Sequence, residues 1–149
     1  MGGTFHGAVV IALDAKGRLA VPTRHRDALA ADGGELVLTA HPDGCLLLYP
    51  RRAWEPVRAE VEKFPSFDAR ASAWKRLLLG FEERIAPDGA GRILVSAALR
   101  RHAKLEREVI LLGQGAYFEL WDDAVRLAKL ERDLASASGM PPGMENFSL

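Results

Sequence analysis

Hydrophobic and polar positions along the chain fall into two alternating regimes. Ala8 to Leu13 is an apolar, partly β-branched run ending at Asp14, and it predicts a strand. Leu19-Ala20-Val21 predicts a second short strand, stopped by Pro22, which has no N–H to give to a ladder. Thr23 is placed to cap a short helix from Arg24 to Ala31 that ends at Gly33-Gly34. Leu36 to Thr39 and Cys45 to Tyr49 flank the turn His41-Pro42-Asp43-Gly44 and predict a hairpin. The period then changes. Trp54, Val57, Val61 and Phe64 recur at helical spacing with Arg58, Glu60, Glu62 and Lys63 between them, and Pro56 puts the helix start close to Ala53. Pro65-Ser66 breaks it. A second amphipathic helix, Ala69 to Gly80, gathers Trp74, Leu77 and Leu78 on one side, and the two helices are expected to pack together.

From Glu83 the order restarts. Arg84-Ile85-Ala86 and Ile93-Leu94-Val95 read as strands, Ser96 caps a helix over Ala97 to Ala103, and Val109 to Leu112 with Tyr117 to Trp121 flank Gly113-Gln114-Gly115. Asp122 caps a last helix carrying Val125, Leu127, Leu130 and Leu134. Beyond Ser136, Ser, Gly and Pro dominate; disorder is expected there, with Phe147 and Leu149 available for docking. Asp14, Gly17, Arg18, Leu19, Val21 and Arg26 align without a gap on Asp88, Gly91, Arg92, Ile93, Val95 and Arg100, so the chain is a duplicated unit. Each half is too small to cover both faces of its own hairpins, and the halves are expected to cover each other about a pseudo-two-fold axis. The fold class is α+β and β-rich. Its parts are a first repeat over 5–52, connecting helices over 53–80, a second repeat over 81–124, and a C-terminal helix and tail over 125–149.

Both copies centre on a tight turn, Asp14-Ala15-Lys16-Gly17-Arg18 and Asp88-Gly89-Ala90-Gly91-Arg92. Asp accepts backbone N–H groups within such a turn, Gly supplies a positive φ, and Arg is left as a charged fork on a rigid hairpin, suited to phosphates or base edges. Asp14, Gly17, Asp88 and Gly91 are therefore the turn-forming residues, and Arg18, Lys16 and Arg92 the candidate DNA contacts, with Arg24 and His6 as additions. The bland alternative is that each Arg merely pairs with its own Asp, which for an exposed pair is worth only about 0 to 1 kcal/mol. Arg26 and Arg100, recurring beside apolar neighbours, read as structural, and His25 and His102 as solvent-facing.

Net charge is zero, so a nucleic-acid role has to rest on local clustering and on repetition through assembly. The single cysteine, Cys45, rules out an intrachain disulfide and fits a reducing cytosol; no apolar run approaches a membrane span and no leader precedes the fold, so a cytoplasmic protein is expected. Met1-Gly2 opens like a myristoylation signal but has His6 where Ser or Thr is wanted. His41, Asp43 and Cys45 are too few for a metal site. No nucleophile elbow or phosphate-binding loop is present, so no enzyme and no cofactor are expected. Trp54, Trp74 and Trp121 read as core.

The specific residues are Phe5-His6-Gly7, Leu13-Asp14-x-Lys16-Gly17-Arg18-Leu19-x-x-Pro22-x-x-x-Arg26, Leu79-Gly80, Asp88-x-x-Gly91-Arg92-Ile93, Leu99-Arg100 and Phe118-Glu119-Leu120-Trp121. Over these, and up to about Leu134, the chain resembles the MraZ family of bacterial regulators of the division and cell wall gene cluster. The resemblance implies tandem AbrB-like swapped-hairpin β-barrels, a ring-shaped homo-oligomer with an octamer as the leading size, and repression through short direct DNA repeats in the protein's own promoter, with the regulator in the cytoplasm on the nucleoid. The family's paired Asp-x-x-x-Arg motifs map onto Asp14 with Arg18 and Asp88 with Arg92. The copies differ in charge: Ser96 stands opposite Pro22, Arg101 opposite Asp27 and Ala90 opposite Lys16, so the first turn is expected to dominate DNA contact. The alternative is a ring-forming structural or protein-interaction module without direct DNA readout.

Overall fold

The computed structural model describes residues 4–31, 33–136 and 139–148. Its elements are β1 (Ala8–Ala12), β2 (Arg18–Ala20), α1 (Thr23–Leu29), β3 (Leu36–Ala40), β4 (Leu46–Pro50), α2 (Arg51–Glu62), α3 (Ala69–Leu78), β5 (Glu83–Ile85), β6 (Arg92–Leu94), α4 (Ala97–Ala103), β7 (Glu108–Gly113), β8 (Phe118–Trp121) and α5 (Asp123–Ser136). The protein is α+β, with six antiparallel strands in one sheet and two in a separate ribbon.

The sheet order is β1-β7-β8-β4-β3-β5. Since β1, β3 and β4 correspond to β5, β7 and β8, the order reads the same from either end once the repeats are exchanged. Each repeat therefore keeps its distal hairpin and gives its first strand away: β1 lies on β7 with Val10 opposite Ile110, and β5 lies on β3 with Val37 opposite Arg84. The turn after β1 does not launch a local hairpin ladder as expected. It closes a single bridge, Leu13 to Leu19, and β2 then pairs with β6 of the other repeat. Among the described residues the sheet does not close into a barrel; β1 and β5 remain its edges, because the three-residue strands β2 and β6 pair with each other instead.

Side-chain alternation along the strands feeds two faces. Leu36, Leu38, Ala40, Leu46, Leu48, Val109, Leu111, Phe118 and Leu120 point to one face and join Leu19, Val21, Ile93 and Val95 of the ribbon and Leu29 and Leu99 of α1 and α4 in one core shared by both repeats. Val37, Leu47 and Tyr49 point to the other face, where Trp54 and Val61 of α2 and Leu78 of α3 cover them. Cys45, Ile110 and Trp121 lie on that same side and pack with Val125 of α5. Burial on both sides is why β3 and β4 read as continuous apolar runs.

The two connecting helices do pack together, with Lys75 Nζ donating to the Glu62 carbonyl at 3.2 Å. Helix α2 starts two residues before Ala53: Pro50 ends the β4 ladder opposite Leu36 and serves as N-cap, so Pro56 sits in the second turn at the loss of one helical hydrogen bond. Thr23 does not cap α1. Pro22 holds that position without a side-chain bond, whereas Ser96 and Asp122 do cap as expected, accepting from Leu99 N and Val125 N. Trp54 and Trp121 are core, but Trp74 is 40% exposed; Thr39, through its hydroxyl, fastens only the C-terminal end of α3, at the carbonyls of Leu77 and Leu78, so Trp74 one turn earlier is left beside His41. His25 is not solvent-facing. It packs edge-on against Phe5 and Phe118 at 5.7 and 4.9 Å, and burial lowers its pKa. His102 is likewise engaged, donating to the His41 carbonyl at 2.8 Å and lying against Phe81. Phe147 stays 57% exposed rather than docked, and Leu149 lies outside the described residues.

Strand exchange makes each repeat dependent on the other. A fragment carrying residues 1–80 lacks β7 for β1 and β5 for β3, so it is expected to be unfolded or to dimerise when followed by circular dichroism and sedimentation. A monomeric fragment that unfolds cooperatively would contradict the exchange.

Candidate nucleic-acid interface

The two Asp-x-x-x-Arg turns are built alike, bond for bond. In the first, Asp14 Oδ1 accepts the backbone N–H groups of Lys16 and Arg18 at 2.9 and 2.8 Å, and Oδ2 accepts Arg18 Nε at 2.9 Å. The main chain closes the loop through Asp14 N to the Arg18 carbonyl and Gly17 N to the Asp14 carbonyl. In the second, Asp88 Oδ1 accepts Ala90 N and Arg92 N at 2.9 Å each, and Oδ2 accepts Arg92 Nε at 2.8 Å. Backbone donation from Arg18 and Arg92, first among several contacts, holds the two carboxyls below their ordinary pKa. Each guanidinium is thus oriented through Nε alone. Among the described residues Nη1 and Nη2 of Arg18 and Arg92 have no hydrogen-bond partner.

Both turns need their glycine. Gly17 has φ +83° and Gly91 has φ +75°, a region that side chains rarely occupy. Each is also covered by the opposite repeat. A Cβ on Gly17 would stand 2.9 Å from the Val95 carbonyl and 3.0 Å from the Arg100 guanidinium, and a Cβ on Gly91 would run into the Arg26 guanidinium. Val95 N donates to the Gly17 carbonyl at 2.8 Å and Val21 N to the Gly91 carbonyl at 3.0 Å. Arg26 and Arg100 are structural, as their recurrence suggested. Each donates Nε to the carbonyl of the residue just after its own ribbon strand, Val21 and Val95, at 2.8 and 3.0 Å, while lying over the other repeat's turn. Their cross-repeat partners had no signal in the sequence.

The ribbon brings the two arginines together. In the β2–β6 register Arg18 faces Leu94, Leu19 faces Ile93 and Ala20 faces Arg92. Leu19 and Ile93 are buried beneath, so Arg18, Ala20, Arg92 and Leu94, itself 54% exposed, form the outward face. Arg18 and Arg92 are diagonal neighbours there, about 7–8 Å apart. The two turns cap opposite ends of this short ribbon. Lys16 is exposed at one end and Ala90 occupies the matching place at the other. Arg24, exposed, donates Nε to His25 from α1, the helix whose Arg26 covers Gly91, and so belongs to the end away from Lys16. His6 bonds Thr4 beside the β7–β8 turn, where Phe5 pairs with Gly115; the length of β1, about 17 Å, separates it from the Asp14 turn. Structure thus unites Arg18, Arg92 and Lys16, leaves Arg24 at the far end, and sets His6 apart.

Fold and interface define a duplicated α+β scaffold that displays paired arginines on a two-stranded ribbon. No group of three or more His, Cys, Asp or Glu side chains could hold a metal among the described residues, and no described helix is long and apolar enough to cross a membrane. A family model described as "MraZ protein, putative antitoxin-like" matches residues 4–77 and again 78–140. The chain is 54% identical over 146 residues to the transcriptional regulator MraZ of Aromatoleum aromaticum, covering 97% of this chain and 99% of that protein. The proteins of the same name from Methylobacillus flagellatus and an Azoarcus species are 52% and 50% identical over the same shares. The chain belongs to the MraZ family, a family of transcriptional regulators and not of enzymes.

Replacing Gly17 or Gly91 by Ala should each lower unfolding stability by about 1–3 kcal/mol in urea titrations, through φ strain and displacement of the covering arginine. Because the Asp14 and Asp88 pKa values are depressed in the fold, their contribution is complete above the ordinary carboxyl range and is lost as pH falls through it. Stability curves should therefore bend downward below about pH 4, and Asp14→Asn with Asp88→Asn should flatten that bend.

Proposed function

We propose that this chain regulates transcription by binding double-stranded DNA through the outer face of the β2–β6 ribbon. The observation that carries the reading is the pairing of Arg18 and Arg92 on one outward face, each steered by an aspartate and each with terminal nitrogens that no described residue engages. A major groove about 12 Å wide admits a two-stranded ribbon, and a bidentate arginine is the commonest specific reader of guanine. Lys16, at one ribbon end, serves as a phosphate contact, and Arg24 adds charge at the other. The register puts both arginines on the same footing, so within the ribbon and its turns the first copy differs by Lys16.

In the finer form of this proposal the protein represses its own division and cell wall gene cluster from short direct repeats. It builds AbrB-like swapped-hairpin units into a ring-shaped homo-oligomer, an octamer in the leading arrangement, on the nucleoid in the cytoplasm. Exposed Val10 on the edge strand β1 and Leu127, Leu130 and Leu134 on α5 support the assembly as apolar surface. Several ribbons engaging several repeats at once would raise affinity by orders of magnitude, which reconciles DNA binding with a net charge of zero.

The test is a gel shift against the chain's own upstream region. Arg18→Ala and Arg92→Ala should each weaken binding about 10- to 100-fold with unchanged circular dichroism. Lys16→Ala should weaken it less and make the slope of log K against log salt shallower by about 1 for each ribbon engaged. Undiminished binding by Arg18→Ala would sink the assignment.

A further inference from the structure

We propose that the cleft between α4 and the connection into β7 is a second phosphate site, where Arg101 and Lys104 hold the DNA backbone beside the first turn. The inference rests on the DNA-binding reading above. The cleft has a volume of about 370 Å³ and is lined by Ala97, Arg100, Arg101, Lys104, Leu105 and Glu106. Three cations there face one carboxylate. Arg100 is tied to the Val95 carbonyl and spans from the cleft to Gly17, so the cleft adjoins the turn that carries Lys16 and Arg18. Arg101 and Lys104 are exposed, and among the described residues neither side chain makes a hydrogen bond or ion pair.

The backbone supplies an independent observation. Lys104 is the one non-glycine residue with positive φ among the described residues, at φ 57° and ψ 36°, where it ends α4 and lets Leu105 N reach the Arg100 carbonyl at 3.0 Å. Glycine is the unstrained choice at a left-handed helix end. The first repeat follows that rule: Ala30, in the matching place, keeps φ −89°, and positive φ is left to Gly33 and Gly34. The second repeat keeps a lysine in this conformation in the lining of a cationic cleft, and residues held in sparsely populated conformations cluster at functional sites.

The repeats differ most at this point. Asp27 and Ala30 stand where Arg101 and Lys104 stand, and the cleft beside the second turn is lined by Arg26, Asp27 and Asp88 without a further cation. One ribbon end therefore gathers Lys16, Arg18, Arg100, Arg101 and Lys104 with Asp14 and Glu106, and the other gathers Arg92, Arg24 and Arg26 with Asp27 and Asp88. Such polarity would give each ribbon a defined direction on the duplex, with the first-turn end anchored.

Lys104→Gly separates binding from folding because it should relieve strain. Thermal unfolding should rise by about 2–4 °C. Fluorescence anisotropy with a duplex from the chain's own upstream region should show affinity about three- to tenfold weaker for Lys104→Gly, and likewise for Arg101→Ala. The log–log salt slope should be shallower by about 1 for each site engaged, and the loss equal on unrelated duplex. If the unmodified protein binds no duplex, the DNA reading itself falls. If it binds and both variants match it in affinity and slope, this site alone falls. Inorganic phosphate, titrated against amide chemical shifts, covers the remaining source: shifts confined to the cleft and lost in both variants, with DNA affinity unchanged, would make it a free-phosphate site and overturn the proposal.

Discussion

Two reciprocal hydrogen bonds fix the geometry on which the molecule depends. Val21 gives its N–H to Gly91 and Val95 gives its N–H to Gly17, so each repeat finishes its ribbon strand against the other repeat's turn. Neither turn can close in that position unless its glycine takes a positive φ and presents a bare Cα to the covering arginine. A backbone bond of this kind contributes only about 1 kcal/mol net, so the lock sets geometry more than energy. Stability comes from what lies under it: Leu19, Val21, Ile93 and Val95 are buried in the core that both repeats share. With the ribbon fixed at the centre, β1 and β5 are carried across to β7 and β3, and the six-stranded sheet follows.

The same lock explains how a weak motif becomes a useful one. An exposed Asp–Arg pair adds little stability, yet here it orders an arginine already standing on a buried two-stranded base. Ordering that side chain in advance lowers the entropy lost when it meets a ligand. The apolar underside and cationic upper face of a three-residue ribbon thus follow from simple alternation, Leu19 and Ile93 down, Arg18 and Arg92 up. Sequence divergence between the repeats leaves the ribbon symmetry intact and changes the charges at its two ends, together with the caps and ends of α1 and α4.

Much of this was legible in the sequence. The duplication, the order of the elements, the turn chemistry of Asp14 and Asp88, and the caps at Ser96 and Asp122 all rest on local rules and are present in the structure. Partner choice was not legible, because alternation in Ala8 to Leu13 says that the segment is a strand but not which strand it joins. That is why a local hairpin was expected where β1 leaves for β7. His25 and His102 were misplaced for a related reason: a polar residue on a short helix reads as exposed until the partners brought by the other repeat, Phe118 for His25 and the His41 carbonyl for His102, are known. Trp74 erred the other way, since helical spacing could not reveal that Thr39 ties α3 to the sheet at its far end, past Trp74. At the candidate site, Arg18, Lys16 and Arg92 stood out individually, but their common face emerges only from the β2–β6 register.

Ala20 offers the most direct test of the claim that the outer ribbon face meets DNA. It is exposed, lies between the two arginines, directly opposite Arg92, and has no side chain that the fold requires. A photo-crosslinking residue placed there should couple to a duplex from the chain's own upstream region on irradiation, while the same residue at Phe67, exposed on the α2–α3 connection, should not. Coupling from position 67 with none from position 20 would contradict the account.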